Sequence, residues 1–225
     1  STVAVGTCSL TPASAGTKTL VATYSGDANF AGSVSAGVSH TVTAGTEAKL
    51  AFQVQPSDAV AGAALTPAIE VVVQDAQGNT VTGSTASVTL ALTAPNGAVL
   101  TGGGPVNAVN GIATFSGLSV DSVGSYTLTA TSGSLTAATS ASFGITPGAA
   151  SQLVFTGQPS NAVAGNTIAP PVQVTIQDAF GNTVTSAATQ ITVAIGTKPP
   201  GSSNLSGTTI MPAASRRRAM TLFSL

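Results

Sequence analysis

The sequence predicts an all-β chain built of tandem antiparallel β-sandwich modules, the first and the last incomplete. Three observations carry this. The composition is dominated by Thr, Ser, Ala, Val and Gly, with no Trp, a mixture that disfavours helices and suits half-buried strands joined by tight turns. Apolar residues recur at alternate positions. An eight-residue phrase, "QDAQGNTV" at 74–81, returns almost unchanged as "QDAFGNTV" at 177–184.

The repeat extends beyond that phrase at a fixed offset of 103 positions (75 to 178). "LAFQVQPSDAVAG" at 50–62 matches "LVFTGQPSNAVAG" at 153–165. Ile69, Val71 and Val73 correspond to Val172, Val174 and Ile176, and Val88, Leu90 and Leu92 to Ile191, Val193 and Ile195. Each triplet has a period of two, the signature of a strand with one buried face. Glu70, Gln74, Ser87 and Thr89 lie between and are expected to face water. A repeat of about 100 residues made of short alternating strands points to stacked sandwich modules.

The elements follow in order. Residues 1–45 carry closing strands only, around "TKTLVATY" and "GVSHTV". Residues 46–147 form a complete module of about seven strands, with Phe52, Phe115, Leu128 and the triplets of 69–73 and 88–92 inside. Asn110-Gly111 between "VNAV" and "IATF" is a hairpin signal, because a type I′ turn needs positive φ at both centres. "TGGGP" at 101–105 is expected to be a flexible loop; no Gly-Lys-Ser/Thr follows to make it a phosphate cradle. Residues 148–225 open a third module, then depart from the template. After "NLSGTT", which parallels "VLTGGG", the chain reads "IMPAASRRRAMTLFSL", so 208–225 is expected to be an aberrant tail from a shifted frame or truncated gene. The modules meet at two short joints, "TAGTEAK" and "TPGAAS", and joints this brief limit swing. The chain begins without a charged-then-apolar leader and reads as an excised piece of something longer.

These patterns resemble bacterial immunoglobulin-like (Ig-like) tandem repeats of large surface and secreted proteins, invasin- and intimin-like adhesins among them. "LVFTGQPSNAVAG…QVTIQDAFGNTVT" is similar to the opening half of such a module and "NGIATFSGLSVDSVGSYTLTATSGSLTAATSASFGI" to its closing half. "ATYSGDANFAGSVS" at 22–35 resembles the end of a related bacterial Ig-like group. The resemblance covers about 15 to 207. It implies tandem Ig-like antiparallel β-sandwich modules, an extracellular or bacterial cell-surface location, and a stalk that displays distal domains. Asp121, Gly124 and Tyr126 are similar to the tyrosine corner of Ig-like sandwiches, in which the hydroxyl bonds to backbone upstream.

Chemistry is sparse. Charged residues are 6% of the chain and the net charge is -1; this leaves no basic field for nucleic acid, and Arg216, Arg217 and Arg218 are too few to hold it. No apolar run reaches the ~18–20 residues of a membrane span. Cys8 and His40 are each the sole representative of their type, and one of each cannot make a zinc site. Cys8 is expected to be small, inert and partly buried, and His40 solvent-facing or structural. The seven acids are scattered singly, so no paired carboxylates of the kind a glycosidase uses are expected. A Lys49–Asn or Lys49–Asp cross-link assisted by Glu70 is disfavoured, because the repeat replaces these residues with Gln152 and Gln173. Asp75 and Asp178 read as strand-to-strand corners rather than calcium loops, since calcium needs six to eight oxygens. No catalytic, cofactor-binding or metal residue is therefore expected, and no enzyme. The expected partners are neighbouring modules of the same chain. The alternative is direct contact with a host protein or glycan through end loops, which the absence of Trp and the low charge disfavour.

Overall fold

A computed structural model describes residues 7–196 and, after them, the backbone of three short strands. All elements among the described residues are β-strands. The first part holds β1 (Gly16–Leu20), β2 (Thr23–Tyr24), β3 (Ser33–Val34) and β4 (Val38–Val42), with β1 against β4 and β2 against β3. The "TKTL" and "VSHTV" runs are thus one antiparallel ladder.

The middle part runs from β5 (Lys49–Val54) and β6 (Ala59–Val60) through β7 (Ile69–Gln74), β8 (Ser87–Leu92), β9 (Leu100–Thr101) and β10 (Val106–Asn107). It continues with β11 (Ile112–Phe115), β12 (Ser119–Val120), β13 (Gly124–Tyr126), β14 (Leu128–Thr131), β15 (Ala138–Thr139) and β16 (Phe143–Thr146). One sheet has the order β11-β7-β5 and another β10-β8-β14-β15; β13-β16-β6 and β12-β9 close the ends. These pairs are antiparallel except β6 with β16. About seven strands were expected, and the runs are cut into more pieces because they change partner. β13 pairs with β16, and one residue later β14 pairs with β8 and β15.

The core follows the alternation. Ile69, Val71, Val73, Val88, Leu90, Leu92, Phe115 and Leu128 are all buried in one cluster, joined by Phe143 and Ile145 of β16. Phe52, expected inside, is only partly buried and packs on the edge of that cluster, next to the irregularity between Phe52 and Val54 in the β5–β7 register. Ser87 and Thr89 are exposed, while Glu70 and Gln74 are half-buried. Val72, on the opposite face of β7, is also buried, since its cross-strand neighbours Ala51 and Ile112 flank it on both sides. Asn110 and Gly111 have φ of 52° and 79°, and Val109 and Ile112 exchange hydrogen bonds of 2.9 and 3.1 Å across them. The predicted two-residue hairpin is present. The Gly-rich loop is not loose: the Gly103 carbonyl accepts the Leu90 N–H at 2.9 Å, which ties it to β8.

The third part contains β17 (Gln152–Gly157), β18 (Gln173–Gln177) and β19 (Gln190–Thr192), followed by β20 (Leu205–Gly207), β21 (Ile210–Pro212) and β22 (Leu222–Ser224). The β17–β18 ladder repeats the β5–β7 ladder, including a register shift between Phe155 and Gly157 that matches the one at Phe52 and Val54. Val172 and Ile176 are buried, but Leu153 and Phe155 are exposed, unlike buried Leu50 at the matching position. The aberrant tail expected over 208–225 lies outside the described residues, save for β21 and β22.

Candidate functional site: the joint between modules

β7 and β18 each run into an aspartate that is almost fully buried, Asp75 at 2% and Asp178 at 1% exposure. A carboxylate tolerates such burial only when donors meet its oxygens. Asp75 Oδ1 accepts the Asn79 N–H at 2.8 Å, and Oδ2 accepts the Gly45 N–H and Asn79 Nδ2, both at 2.9 Å. Asp178 repeats the set. Its Oδ1 accepts the N–H groups of Phe180 and Asn182, both at 2.9 Å, and its Oδ2 accepts the Gly148 N–H at 2.8 Å and Asn182 Nδ2 at 2.9 Å.

The backbone of each corner closes in the same way. Asp75 N–H donates to the Asn79 carbonyl at 2.9 Å and Asp178 N–H to the Asn182 carbonyl at 2.9 Å. Gly78 and Gly181 sit at φ of 90° and 85°, a left-handed conformation that a side chain would strain. Gly45 and Gly148 are the glycines of "TAGTEAK" and "TPGAAS", so each corner also fastens the incoming linker. The amide of Asn79, with the Gly45 N–H, holds the Asp75 carboxyl at about 2. For Asp178 burial pulls upward, but the Asn182 amide and the N–H groups of Gly148, Asn182 and Phe180 outweigh it and hold the carboxyl below its ordinary value.

The free half of each asparagine carboxamide reaches into the preceding module. Asn79 Oδ1 accepts the Ala15 N–H at 2.9 Å, and its Nδ2 donates to the Ala13 carbonyl at 3.3 Å. Asn182 Oδ1 accepts the Val123 N–H at 3.0 Å, and its Nδ2 donates to the Asp121 carbonyl at 2.7 Å. The carboxamide takes the place of a neighbouring strand's backbone, offering one donor and one acceptor to residues two apart. Each such bond contributes about 0.5–1.5 kcal/mol net. The same Asp-x-x-Gly-Asn corner thus joins first part to second and second to third.

The single difference between the two phrases, Gln77 against Phe180, has a local meaning. The Phe180 ring lies where a Cβ on Gly62 would stand. Gly62 has a φ of 76° and donates its N–H to the Val120 carbonyl at 2.8 Å, beside the loop that Asn182 grips. The second joint therefore carries an aromatic contact on a residue that only glycine fills.

The other residues marked in the sequence fall into place around this joint. Tyr126 is buried, stacks tilted against Phe143 with ring centroids 6.2 Å apart, and donates its hydroxyl to the Ser122 carbonyl at 3.0 Å. That is the bond of a tyrosine corner. Burial pushes its phenol up, and the nearby Asp121 carboxylate adds to the effect. Asp121 itself accepts the Val99 N–H at 2.8 Å. His40 is exposed on β4, paired in register with Lys18. Cys8, expected partly buried, is exposed, because residues 7–15 precede the first strand. Lys49 and Glu70 stand at opposite ends of the β5–β7 ladder, opposite Gln74 and Val54 respectively, too far along the strands for an acid-assisted cross-link. Among the described residues no three His, Cys, Asp or Glu side chains gather in one place. Asn79 and Asn182 are what sequence reasoning missed. The signal was present: they are the fixed residues of the repeated phrase, but nothing in one sequence says what lies across from them.

Because the corner carboxylates already accept three or four N–H groups each, a calcium ion would have to displace them, and each corner offers one carboxylate. Calcium titration by calorimetry is expected to give no heat and to leave the melting temperature unchanged. A rise of several degrees that vanishes in Asp75→Ala is the contrary result.

No protein-family model matches this chain, and no curated protein matches it. Among solved structures it is similar to InvD of Yersinia pseudotuberculosis, at 17% identity and a TM-score of 0.36, over 76% of this chain and 52% of InvD. It is also similar to the S-layer protein SbsC, at 17% identity and a TM-score of 0.34, over 84% of this chain and 24% of SbsC. A match to Parabacteroides merdae β-glucuronidase has 18% identity and a TM-score of 0.33; it takes in 46% of this chain, which spans only 14% of the enzyme's length.

Proposed function

We propose that the chain is a non-catalytic spacer: a run of Ig-like modules in a bacterial cell-surface or secreted protein, which holds distal domains, adhesive ones among them, away from their anchor. The observation that supports this most is the joint made twice from the same residues. A chain that only needed independent domains has no use for a buried Asp, a left-handed Gly and an Asn placed so that one amide grips the neighbour at both its polar ends. A spacer does, because its reach depends on fixed angles between successive modules. Direct binding through the loops at the 121–123 end of the middle module would have to compete with the third module, which occupies that loop through Asn182.

Residual dipolar couplings on the full chain test the reading. The modules are expected to share one alignment tensor. In Asn79→Ala/Asn182→Ala, where each joint loses its pair of bonds, the tensors should diverge while strand shifts within 46–147 stay in place. Independent tensors in the unaltered chain would remove the basis for a spacer.

A further inference from the structure

The loop that receives Asn182 is held from both sides. The Asp121 carbonyl and the Val123 N–H face the next module, at 2.7 and 3.0 Å from the Asn182 carboxamide. The carbonyls of Ser122 and Val123 turn the other way and take the Tyr126 hydroxyl at 3.0 and 3.4 Å. The first joint has no tyrosine, yet it is built on the same plan. Gly16 and Gly124 open β1 and β13, and they pair with Val42 and Ile145; two residues on, Lys18 pairs with His40 as Tyr126 pairs with Phe143. Lys18 therefore stands where Tyr126 stands. Its Nζ donates to Ser14 Oγ at 2.8 Å and to the Ala15 carbonyl at 3.5 Å, in the loop whose other side receives Asn79. A phenol in a core and an ammonium at a surface share little chemistry except a donor aimed at the back of that loop.

We propose that the residue at this position, Lys18 in the first part and Tyr126 in the second, is a positioning residue for module docking. It fixes the separation between one carbonyl and the N–H two residues later, so that the loop becomes a socket for a primary carboxamide. The partner it fits is a module whose Asp-x-x-Gly-Asn corner presents that carboxamide already locked by its own aspartate. In this chain the tyrosine corner is the receptor of the next module as well as a staple of its own. Hydrogen-bond strength falls steeply once distance and angle drift from their optimum, and both bonds share one rigid amide, so a small change in socket width weakens the pair together. The proposal rests on the spacer reading of the joint.

Residue-resolved amide hydrogen exchange on the full chain separates the two. Asn182→Ala removes the acceptor of the Val123 N–H and should speed its exchange by roughly tenfold; no change there would overturn the clamp and the spacer reading with it. Tyr126→Phe keeps the ring and removes only the donor, and Lys18→Met keeps the stem. They are expected to speed exchange by roughly fivefold, at Val123 in the first and at Ala15 in the second, while the Ile145 amide holds its protection. In Asn182→Ala the added Tyr126→Phe change should alter Val123 less than twofold, because the bond it tunes is already gone. A rise spread evenly over β13 and β16 in Tyr126→Phe, with Ala15 unmoved in Lys18→Met, would make both residues intramodular staples and overturn the proposal. If Tyr126→Phe unfolds the middle module outright, Lys18→Met decides alone.

Discussion

Phe115→Ala should destabilise the middle module by about 3–5 kcal/mol, the range for truncating a buried aromatic and leaving its cavity. Phe115 is 2% exposed, lies opposite Ile69 in the β11–β7 ladder, and sits in the cluster that both sheets share. Neighbours fixed in two hydrogen-bonded sheets have little room to collapse into the space. Against a total of about 5–15 kcal/mol for a domain of this size, the loss is a large fraction. Two other phenylalanines calibrate the claim. Phe52 packs only on the edge of the cluster and its truncation should cost less than that of Phe115. Phe155, its repeat counterpart, is 55% exposed, and Phe155→Ala should fall within about 0.5 kcal/mol of no effect. Urea denaturation followed by residue-resolved backbone amide signals ranks the three, with β7 reporting for Phe52 and Phe115 and β18 for Phe155. Equal costs at 115 and 155 would contradict the burial pattern.

Acid should open the joints before it touches the core. The Asp75 carboxyl is held at about 2 in the folded chain, first by the Asn79 amide and then by the Gly45 N–H; an unfolded Asp titrates near 3.9. A folded value below the unfolded one means that the folded state gains from the ionised form. Its contribution is complete above the unfolded value and disappears as pH falls through about 4 toward 2. Asp178, also held low, acts in the same direction at the second joint. Melting temperature measured from pH 6 to pH 2 should therefore stay level and then drop below about pH 4. Asp75→Asn should start lower at neutral pH and show a shallower drop, since its amide cannot titrate and offers the Gly45 and Asn79 donors one oxygen instead of two. An identical pH profile in the variant would show that the corner is not the acid-sensitive element.

The fold was legible wherever a period of two could be read. Alternation placed Val71, Val88, Leu90 and Leu128 inside, and Asn110-Gly111 marked its hairpin, because both signals depend on neighbours within a few residues. What failed to show were effects of partners distant in sequence. Phe52 is displaced toward the edge by a register shift that alternation does not encode. Gly103 looked like slack and is instead a backbone partner of Leu90. The tyrosine corner was readable as a motif, but its second face was not. Asp75 and Asp178 read correctly as corners, while the reach of Asn79 and Asn182 across 64 and 59 residues of chain to Ala15 and Val123 depends on how one module lands on another. The same limit hid the role of Lys18, whose match to Tyr126 appears only once β1 and β13 are placed in register.

Each socket is made of main chain. Ala13-Ser14-Ala15 and Asp121-Ser122-Val123 share only the central serine, yet both present a carbonyl and an N–H to the same carboxamide. An interface of side chains must change on both partners together if it is to survive drift. Here the groups that meet the carboxamide are peptide groups that almost any residue brings, while the donors of Lys18 and Tyr126 brace the loop from behind. Duplication of a module would carry plug, socket and bracing donor together, without a compensating mutation elsewhere. A gene for such a spacer could lengthen or shorten its product by whole units, each new copy bringing both halves of the joint with it.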